Sequence, residues 1–218
     1  VAALTLAAGH AELGGGLRLS GSATVKNVCL NQNTATDSGG GIAVLSGVAT
    51  IIDTRFTRNQ AAQGGGLFVA EDATAIVTRS AFISNKSDYG AGLYISDATV
   101  TLDNGLFVAN QSGHSGGAFY VKNLAPELDA SGTLVDEHES TPFLQINQTT
   151  LHRNWAKFLG QAGYNNRGSL QITKSILSEH HAIDSYNTQV LYAYSPEYEF
   201  YEDIFIWDNL GSDLRMSF

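Results

Sequence analysis

Apolar residues recur along the chain in two columns that stand two residues apart in every copy of a repeated pattern. The first column contains Val25, Ile51, Val77, Leu102, Ile146, Ile172 and Phe200. The second column, two positions earlier, contains Ala23, Ala49, Ala75, Val100, Leu144, Leu170 and Tyr198. Side chains alternate between the two faces of a strand, so this spacing predicts strands with one buried face. A helical repeat would need apolar residues three and four positions apart.

A second pattern gives the length of the repeat. Each copy has a large apolar residue followed three positions later by a polar one, in the pairs Leu30/Asn33, Phe56/Asn59, Phe82/Asn85, Phe107/Asn110, Leu151/Asn154, Leu177/His180 and Phe205/Asp208. The steps between the polar members are 26, 26, 25, 44, 26 and 28 residues. A period of this length is typical of repeat architectures, and the single long step indicates an insertion of about 18 residues.

A third alternation follows the glycines in the first five copies, at Leu17/Leu19, Ile42/Val44, Leu67/Val69, Leu93/Ile95 and Phe119/Val121. Each copy therefore contains three short strands. Three strands in each turn of about 25–26 residues predict an all-β fold, a right-handed parallel β-helix of about seven turns. We expect residues 1–218 to form a single domain of this kind, as a piece of a longer chain.

Asn and Gly mark the corners where each turn must bend. We expect the asparagines to take up the left-handed conformation, and their amides to bond to the equivalent Asn one turn away. Gly64 to Gly66 serve another corner, where a side chain would collide with the next turn. The predicted ladder consists of Asn33, Asn59, Asn85, Asn110 and Asn154.

These motifs resemble a known repeat. GGGL, GGGI, GGGL, GAGL and GGAF, which alternate with FTRN, FISN and FVAN, are similar to the paired GGA(I/L/V) and FxxN tetrapeptides of the polymorphic outer membrane protein repeat. The match extends from about Gly14 to Val121. The resemblance implies a β-helical, surface-exposed segment of an adhesive or cell-surface protein, often the passenger of an autotransporter.

The net charge and the hydropathy of the chain limit the classes of partner that the sequence is compatible with. The formal net charge is -9 and the 12 Lys and Arg residues form no basic run, so nucleic acid is disfavoured. No apolar run approaches the roughly 20 residues of a membrane-spanning helix. We expect no cofactor. The predicted partners are proteins or glycans at the cell surface, neighbouring domains, or further copies of the chain.

Residues 122–141 interrupt the fifth turn as an acidic insertion. A protruding loop on a regular scaffold is a suitable place for binding residues, while a solvated excursion without a ligand is the alternative interpretation. The contiguous acidic run lacks the spacing of a calcium loop, and its single His has no zinc-ligand partner nearby, so no metal site is predicted. The candidate binding residues are Asp129, Asp136, Glu137, His138 and Glu139.

Charged residues also occur on the scaffold. Asp53 beside Arg79, and Lys174 beside Glu202, are expected one turn apart at about 4.8 Å, as charge pairs or as part of a polysaccharide-cleaving site. Asn147 belongs to an Asn-Gln-Thr sequon on an outward strand position and is the glycosylation candidate.

Residues 186–218 form an aromatic-rich terminal region. Phe200 and Phe205 are expected inside the core, while other aromatic residues offer a contact patch. The candidate interface residues are Tyr192, Tyr194, Tyr201 and Trp207.

Three functions are compatible with these observations. The preferred one is a non-catalytic structural or adhesive module of a large cell-surface or extracellular protein. The others are a subunit of an extracellular filament or appendage, and a carbohydrate-active β-helix that acts as a polysaccharide lyase or glycosidase. The lyase or glycosidase would require a groove with clustered acidic and basic residues and outward aromatic residues.

Overall fold

The structure, a computed structural model, describes residues 4–124, 141–180, 190–194, 198–202, 205–207 and 214–217, with the backbone alone for 198–201, 205–207 and 214–217. Within these ranges all regular structure is β-strand. The strands are β1 Leu4–Ala7, β2 His10–Leu13, β3 Leu17–Ser20, β4 Ala23–Lys26, β5 Val28–Asn31, β6 Thr34–Ser38, β7 Ile42–Ser46, β8 Val48–Ile52, β9 Arg55–Thr57, β10 Leu67–Val69, β11 Thr74–Thr78, β12 Ala81–Ile83, β13 Lys86–Tyr89, β14 Leu93–Ser96, β15 Thr99–Asp103, β16 Leu106–Val108, β17 Gln111–Ser115, β18 Phe119–Lys122, β19 Phe143–Asn147, β20 Thr150–His152, β21 Trp155–Ala156, β22 Gly163–Asn166, β23 Ser169–Thr173, β24 Ile176–Ser178, β25 Leu191–Tyr194, β26 Tyr198–Glu202, β27 Phe205–Trp207 and β28 Leu214–Ser217.

Three parallel sheets run the length of the solenoid, and each turn contributes one strand to each sheet. In the order in which a turn visits them, sheet 1 is β3-β7-β10-β14-β18-β22-β25-β28, sheet 2 is β4-β8-β11-β15-β19-β23-β26, and sheet 3 is β1-β5-β9-β12-β16-β20-β24-β27. This arrangement confirms the predicted β-helix, because consecutive turns pair in parallel and none of the described strands pairs antiparallel.

The predicted apolar columns lie in register inside the solenoid. In sheet 2 the column from Val25 to Ile172 pairs residue for residue across six strands, and all its members are buried. In sheet 3 the rings of Phe56, Phe82 and Phe107 are stacked, with 4.4 Å between successive centroids. Stacking at the strand spacing fills the core without gaps because each ring covers the face of the next.

The register differs from the prediction in the last turn. Tyr201 pairs with Ile172 and Ile206 pairs with Leu177, so Phe200 and Phe205 each lie one position away from the column assigned to them. A shift of one residue moves a strand's side chains to opposite faces. Aromatic or apolar residues stand at neighbouring positions in these two strands, so the alternation of apolar and polar residues did not reveal the register.

Short strands form a fourth row between sheet 3 and the glycines, beyond the three strands per turn that the sequence predicts. β2 pairs with β6, and β13, β17 and β21 pair in order. Between these groups, at Gln60 and Gln63, the chain makes only isolated bridges to the turns on either side.

The corners are built by residues in the left-handed conformation. The first glycine of each group has φ between 58° and 72°, at Gly14, Gly39, Gly64, Gly90, Gly116 and Gly160. The corner between sheets 2 and 3 has φ between 46° and 56°, at Asn27, Asp53, Arg79, Asn104, Gln148 and Lys174. The corner after sheet 3 has φ between 51° and 55°, at Ala8, Gln32, Arg58, Ser84, Ala109, Arg153 and Glu179.

The ladder asparagines themselves are not left-handed, which corrects the prediction. The left-handed residue is the one before each Asn, such as Arg58 before Asn59. The bend before the Asn turns its amide into the interior, where it bonds to the neighbouring turns. Exposed or half-buried residues of several types occupy the left-handed position.

Candidate functional site

The asparagine ladder is a continuous interior row of hydrogen bonds. Asn85 is representative: its Nδ2 donates to the Phe56 carbonyl at 3.1 Å and to Asn110 Oδ1 at 3.0 Å. Its Oδ1 accepts from both the backbone N–H and the Nδ2 of Asn59. The members are fully buried and are Asn33, Asn59, Asn85, Asn110 and Asn154. Because their amides bond to adjacent turns, the ladder stabilises the scaffold and is not open to a ligand.

His180 occupies the next position of the same ladder. Its Nδ1 lies 3.1 Å from the Asn154 carbonyl oxygen and its Nε2 lies 3.0 Å from that of Leu151. The ring is fully buried. The imidazole therefore contacts Leu151 and Asn154, which correspond to the two residues of the preceding turn that each ladder amide contacts, although at Asn154 it meets the backbone carbonyl.

Asp53 and Arg79 form the ion pair that their positions predict. Arg79 Nε donates to Asp53 Oδ1 at 2.7 Å, and Nη2 donates to Oδ2 at 2.9 Å. The hydrogen bond from the guanidinium holds the pKa of the Asp53 carboxyl below its ordinary value. For the other predicted pair, the Lys174 N–H donates to the Glu202 carbonyl at 3.0 Å.

A concave surface of about 410 Å³ lies outside the ladder, over three consecutive turns. We call it the polar groove. Two rows of side chains border the buried asparagines, one from the left-handed positions and one from the positions just after the ladder. Its lining residues are Gln32, Thr34, Arg58, Gln60, Ser84 and Lys86. No side chain in this set is apolar or acidic.

The groove continues into a second recess of about 430 Å³, with which it shares Thr34 and Gln60. Here the chain passes from Asn59 to the next glycine through only four residues, Gln60 to Gln63. Ala61 and Ala62 lie in the wall of this recess, and their small side chains leave it open. The carboxylate of Asp88 is the acidic group that lines it.

A column of aromatic rings covers the outer face of sheet 1. Successive centroids lie 5.7, 5.2, 4.8 and 5.2 Å apart along Phe68, Tyr94, Tyr120, Tyr164 and Tyr192. Burial raises the pKa of the phenols of Tyr94, Tyr120 and Tyr164. Neighbouring rings cover the faces of the interior members of the column, so these rings stabilise the sheet and offer no free face to a sugar. The alternation of apolar and polar residues did not predict this column, although its aromatic residues stand at one equivalent position of the repeat.

The predicted interface residues lie at the end of this region. Tyr192 is half-buried on Tyr164, while Tyr194 is 42% exposed, with the Arg167 guanidinium 5.8 Å from its ring centroid. Tyr201 and Trp207 belong to β26 and β27, and their side chains lie outside the described residues. Their role as a contact patch stays a prediction.

The predicted binding residues of the insertion, Asp129, Asp136, Glu137, His138 and Glu139, lie outside the described residues. The structure describes the insertion's first residues. The Leu124 N–H donates to Asp97 Oδ2 at 2.7 Å, and Asp97 is buried. A buried carboxylate therefore fixes the point from which the insertion departs.

The glycosylation candidate Asn147 is half-buried and uses both ends of its amide. Its Nδ2 donates to Asp103 Oδ1 at 2.6 Å, and its Oδ1 accepts from Thr173 Oγ1 at 3.0 Å. A glycan on Nδ2 would replace one of its two hydrogens and leave a single N–H for the contact with Asp103.

A cluster of His152, Ser178, Glu179 and Arg153 was not predicted. His152 Nδ1 lies 3.1 Å from Ser178 Oγ, and its Nε2 lies 4.0 Å from Glu179 Oε2. The Arg153 guanidinium binds that same carboxylate oxygen. Ser178 is only 6% exposed. The serine is thus poorly placed to attack a substrate, and the glutamate binds Arg153 more closely than it approaches the imidazole.

Within the described ranges, no group of three or more His, Cys, Asp or Glu side chains could hold a metal ion. The same ranges contain no helix long and apolar enough to cross a membrane.

The comparison with known families agrees with the architecture. A model of the right-handed β-helix region matches residues 11–160. The chain therefore belongs to the right-handed β-helix family. No curated protein and no solved structure matches it.

Proposed function

We propose that this chain is a non-catalytic structural or adhesive module of a cell-surface or extracellular protein. In this proposal its repeats are of the polymorphic outer membrane protein type, as the GGA(I/L/V)-like and FxxN-like motifs suggest. The module acts as a rigid scaffold that holds surface groups at fixed spacing for contacts with a protein or a glycan.

The observation that carries the proposal is the ion pair of Asp53. This carboxylate, at the corner between sheets 2 and 3, was the candidate for acid or base chemistry. Both of its oxygens accept hydrogen bonds from Arg79. A carboxylate with a lowered pKa is a poor general acid at neutral pH. Among the described lining residues, the polar groove has no carboxylate and the adjoining recess has one, Asp88. Glycoside hydrolysis commonly uses two carboxylates about 5–9.5 Å apart.

Rigidity supports the scaffold role. The Asn ladder joins the turns from Asn33 to Asn154. The stacked phenylalanines join three of these turns, and the outer aromatic column joins five turns from Phe68 to Tyr192. A preformed surface loses little conformational entropy when a partner binds. A module of this kind can therefore support weak, repeated surface contacts.

The test separates adhesion from catalysis. The purified chain is incubated with a panel of acidic and neutral polysaccharides, and new reducing ends and unsaturated products are measured. We expect neither. Beads coated with the chain should be retained on surfaces that carry a bound glycan or protein. Turnover that Asp53→Ala abolishes would overturn the proposal.

The filament alternative has its own measurement. Light scattering after size-exclusion chromatography gives the mass of the chain in solution. A folded monomer would weaken the filament hypothesis. Assembly that grows with concentration, through the ends of the solenoid, would favour it over an adhesive module.

A further inference from the structure

We infer that the polar groove binds an anionic saccharide, a short oligosaccharide bearing a carboxylate or sulfate. This inference rests on the proposed function, because it names the ligand class of the scaffold.

Two cations in the groove have no anionic partner within the part of the chain that the structure describes. Arg58 and Lys86 are both exposed, and neither side chain makes an ion pair or hydrogen bond with any described residue. They belong to adjacent turns, on opposite sides of the ladder. Arg79, by contrast, is fully engaged by Asp53. A bound anion would therefore complete a charge arrangement that this part of the chain leaves open.

Asp88, the acid in the neighbouring recess, sets the orientation of an anionic ligand in the groove. Asp88 lines the second recess, while the first contains both cations and no carboxylate. An anionic group is thus attracted to the Arg58 and Lys86 end and repelled from the Asp88 end. The net charge of -9 disfavours a long polyanion, so the fitting ligand carries few charges.

The remaining lining side chains favour a saccharide. Gln32, Gln60, Thr34 and Ser84 supply amide and hydroxyl groups, which both donate to and accept from sugar hydroxyls. A volume of about 410 Å³ lies within the roughly 300–1,000 Å³ usual for small-molecule sites.

The backbone disfavours an added peptide strand. Along the groove the N–H groups of Gln60 and Lys86 donate to the Asn33 and Asn59 carbonyls of the preceding turns. These groups are therefore unavailable for β-strand addition. The buried amides behind them hold the floor in place, so little reorganisation accompanies binding.

The test uses isothermal titration calorimetry with four probes. They are a galacturonate tetramer, a sulfated tetrasaccharide, neutral cellotetraose and tetraglutamate. We expect at least one anionic tetrasaccharide to bind at least tenfold more tightly than the neutral sugar and the peptide.

The variants are chosen to preserve the fold. Arg58→Gln with Lys86→Gln places at each position the residue that the preceding turn already has, Gln32 and Gln60. This pair should lose at least tenfold in affinity. The matched control, Arg18→Gln with Lys26→Gln, removes the same charge from exposed positions outside the groove and should stay within twofold of wild type.

Equal losses in the two double variants would overturn the inference, as would equal binding of the neutral sugar, tighter binding of tetraglutamate, or no binding of any probe. Circular dichroism checks that each variant is folded. The same mixtures are assayed for shortened oligosaccharides. Cleavage products would overturn the proposed function, whereas a failure of selective binding alone would leave the scaffold role in place.

Discussion

Replacing Asn85 by alanine should remove one rung of the interior ladder and lower the stability of the solenoid. The side chain takes part in four hydrogen bonds, two as donor and two as acceptor. Its loss leaves the backbone N–H and one Nδ2 hydrogen of Asn59 without acceptors in a fully buried site. The Phe56 carbonyl also loses a donor. Asn110 Oδ1 keeps the Asn85 backbone N–H.

The magnitude follows from these unpaired groups. Each buried donor left without a partner costs about 1–3 kcal/mol. Two such N–H groups predict a loss of about 2–6 kcal/mol in the free energy of unfolding. That is a large part of the roughly 5–15 kcal/mol typical of a domain. For a chain of this size the melting temperature should fall by about 10 °C.

The measurement is chemical denaturation followed by far-ultraviolet circular dichroism. Hydrogen exchange of the Asn59 amide adds a local readout. The matched control is Asn31→Ala, because Asn31 is half-buried and its amide bonds only to Gln32 Oε1, at 3.3 Å on the surface. The control should change stability by no more than about 0.5 kcal/mol.

A double-mutant cycle tests whether the ladder acts as a unit. Asn59→Ala and Asn85→Ala both remove the hydrogen bond from Asn59 Nδ2 to Asn85 Oδ1, so the double variant should cost less than the sum of the single ones. If the losses of the two single variants simply added in the double variant, the two asparagines would not be coupled through the ladder. If Asn85→Ala were no less stable than Asn31→Ala, the whole argument for the ladder would be refuted.

Gly64→Ala should strongly lower the melting temperature, because φ at Gly64 is 60° and a Cβ would lie 2.4 Å from the carbonyl oxygen three residues on. Gly113→Ala, whose Cβ would meet a flexible carboxylate at 3.0 Å, should change it little, and equal effects would count against the corner geometry. The Asp53 carboxyl should titrate below its ordinary pKa by nuclear magnetic resonance and return toward it in Arg79→Gln. Because the pKa of Asp53 is lower in the folded state, the ion pair stabilises the fold above the unfolded-state pKa, and this contribution is lost as pH falls through the folded-state pKa. An unchanged Asp53 titration in Arg79→Gln would show that Arg79 does not cause the lowered pKa. The Tyr94 phenol, whose pKa is raised by burial, should stay protonated near pH 10, where free tyrosine ionises, and stability should fall as pH rises further. Ultraviolet absorbance measures this, and reversible ionisation of all nine tyrosines near pH 10 in the folded protein would contradict it.

Much of the fold is readable from the sequence because it depends on a local rule repeated at a constant period. Alternating apolar positions, such as Ile51 and Ala49, specify which face of a strand is buried, and the period of about 26 residues stacks equivalent positions. The prediction fails where two adjacent residues are both apolar, because alternation then does not identify the buried one. Phe205 and Ile206 are such a pair, and only the pairing of Ile206 with Leu177 decides which of them continues the column.

The local pattern did not reveal the surface features. Arg58 and Lys86 line one groove because two adjacent turns stack and place them on either side of the ladder. The small side chains of Ala61 and Ala62 leave the adjoining recess open. The left-handed corner likewise falls on the residue before Asn59, because the amide must point inward to reach the turns on either side.

The sequence by itself therefore determined the repeat and the buried columns, since both depend on side-chain alternation within a short segment that recurs at a constant period. Only the tertiary structure decided the register of the last turn, the residue that bends at each corner, the pairing of Asp53 with Arg79 at hydrogen-bonding distance, and the grouping of Arg58 with Lys86 in one groove. Those features depend on contacts between residues about one turn apart in the chain, whose geometry is fixed only when the turns stack.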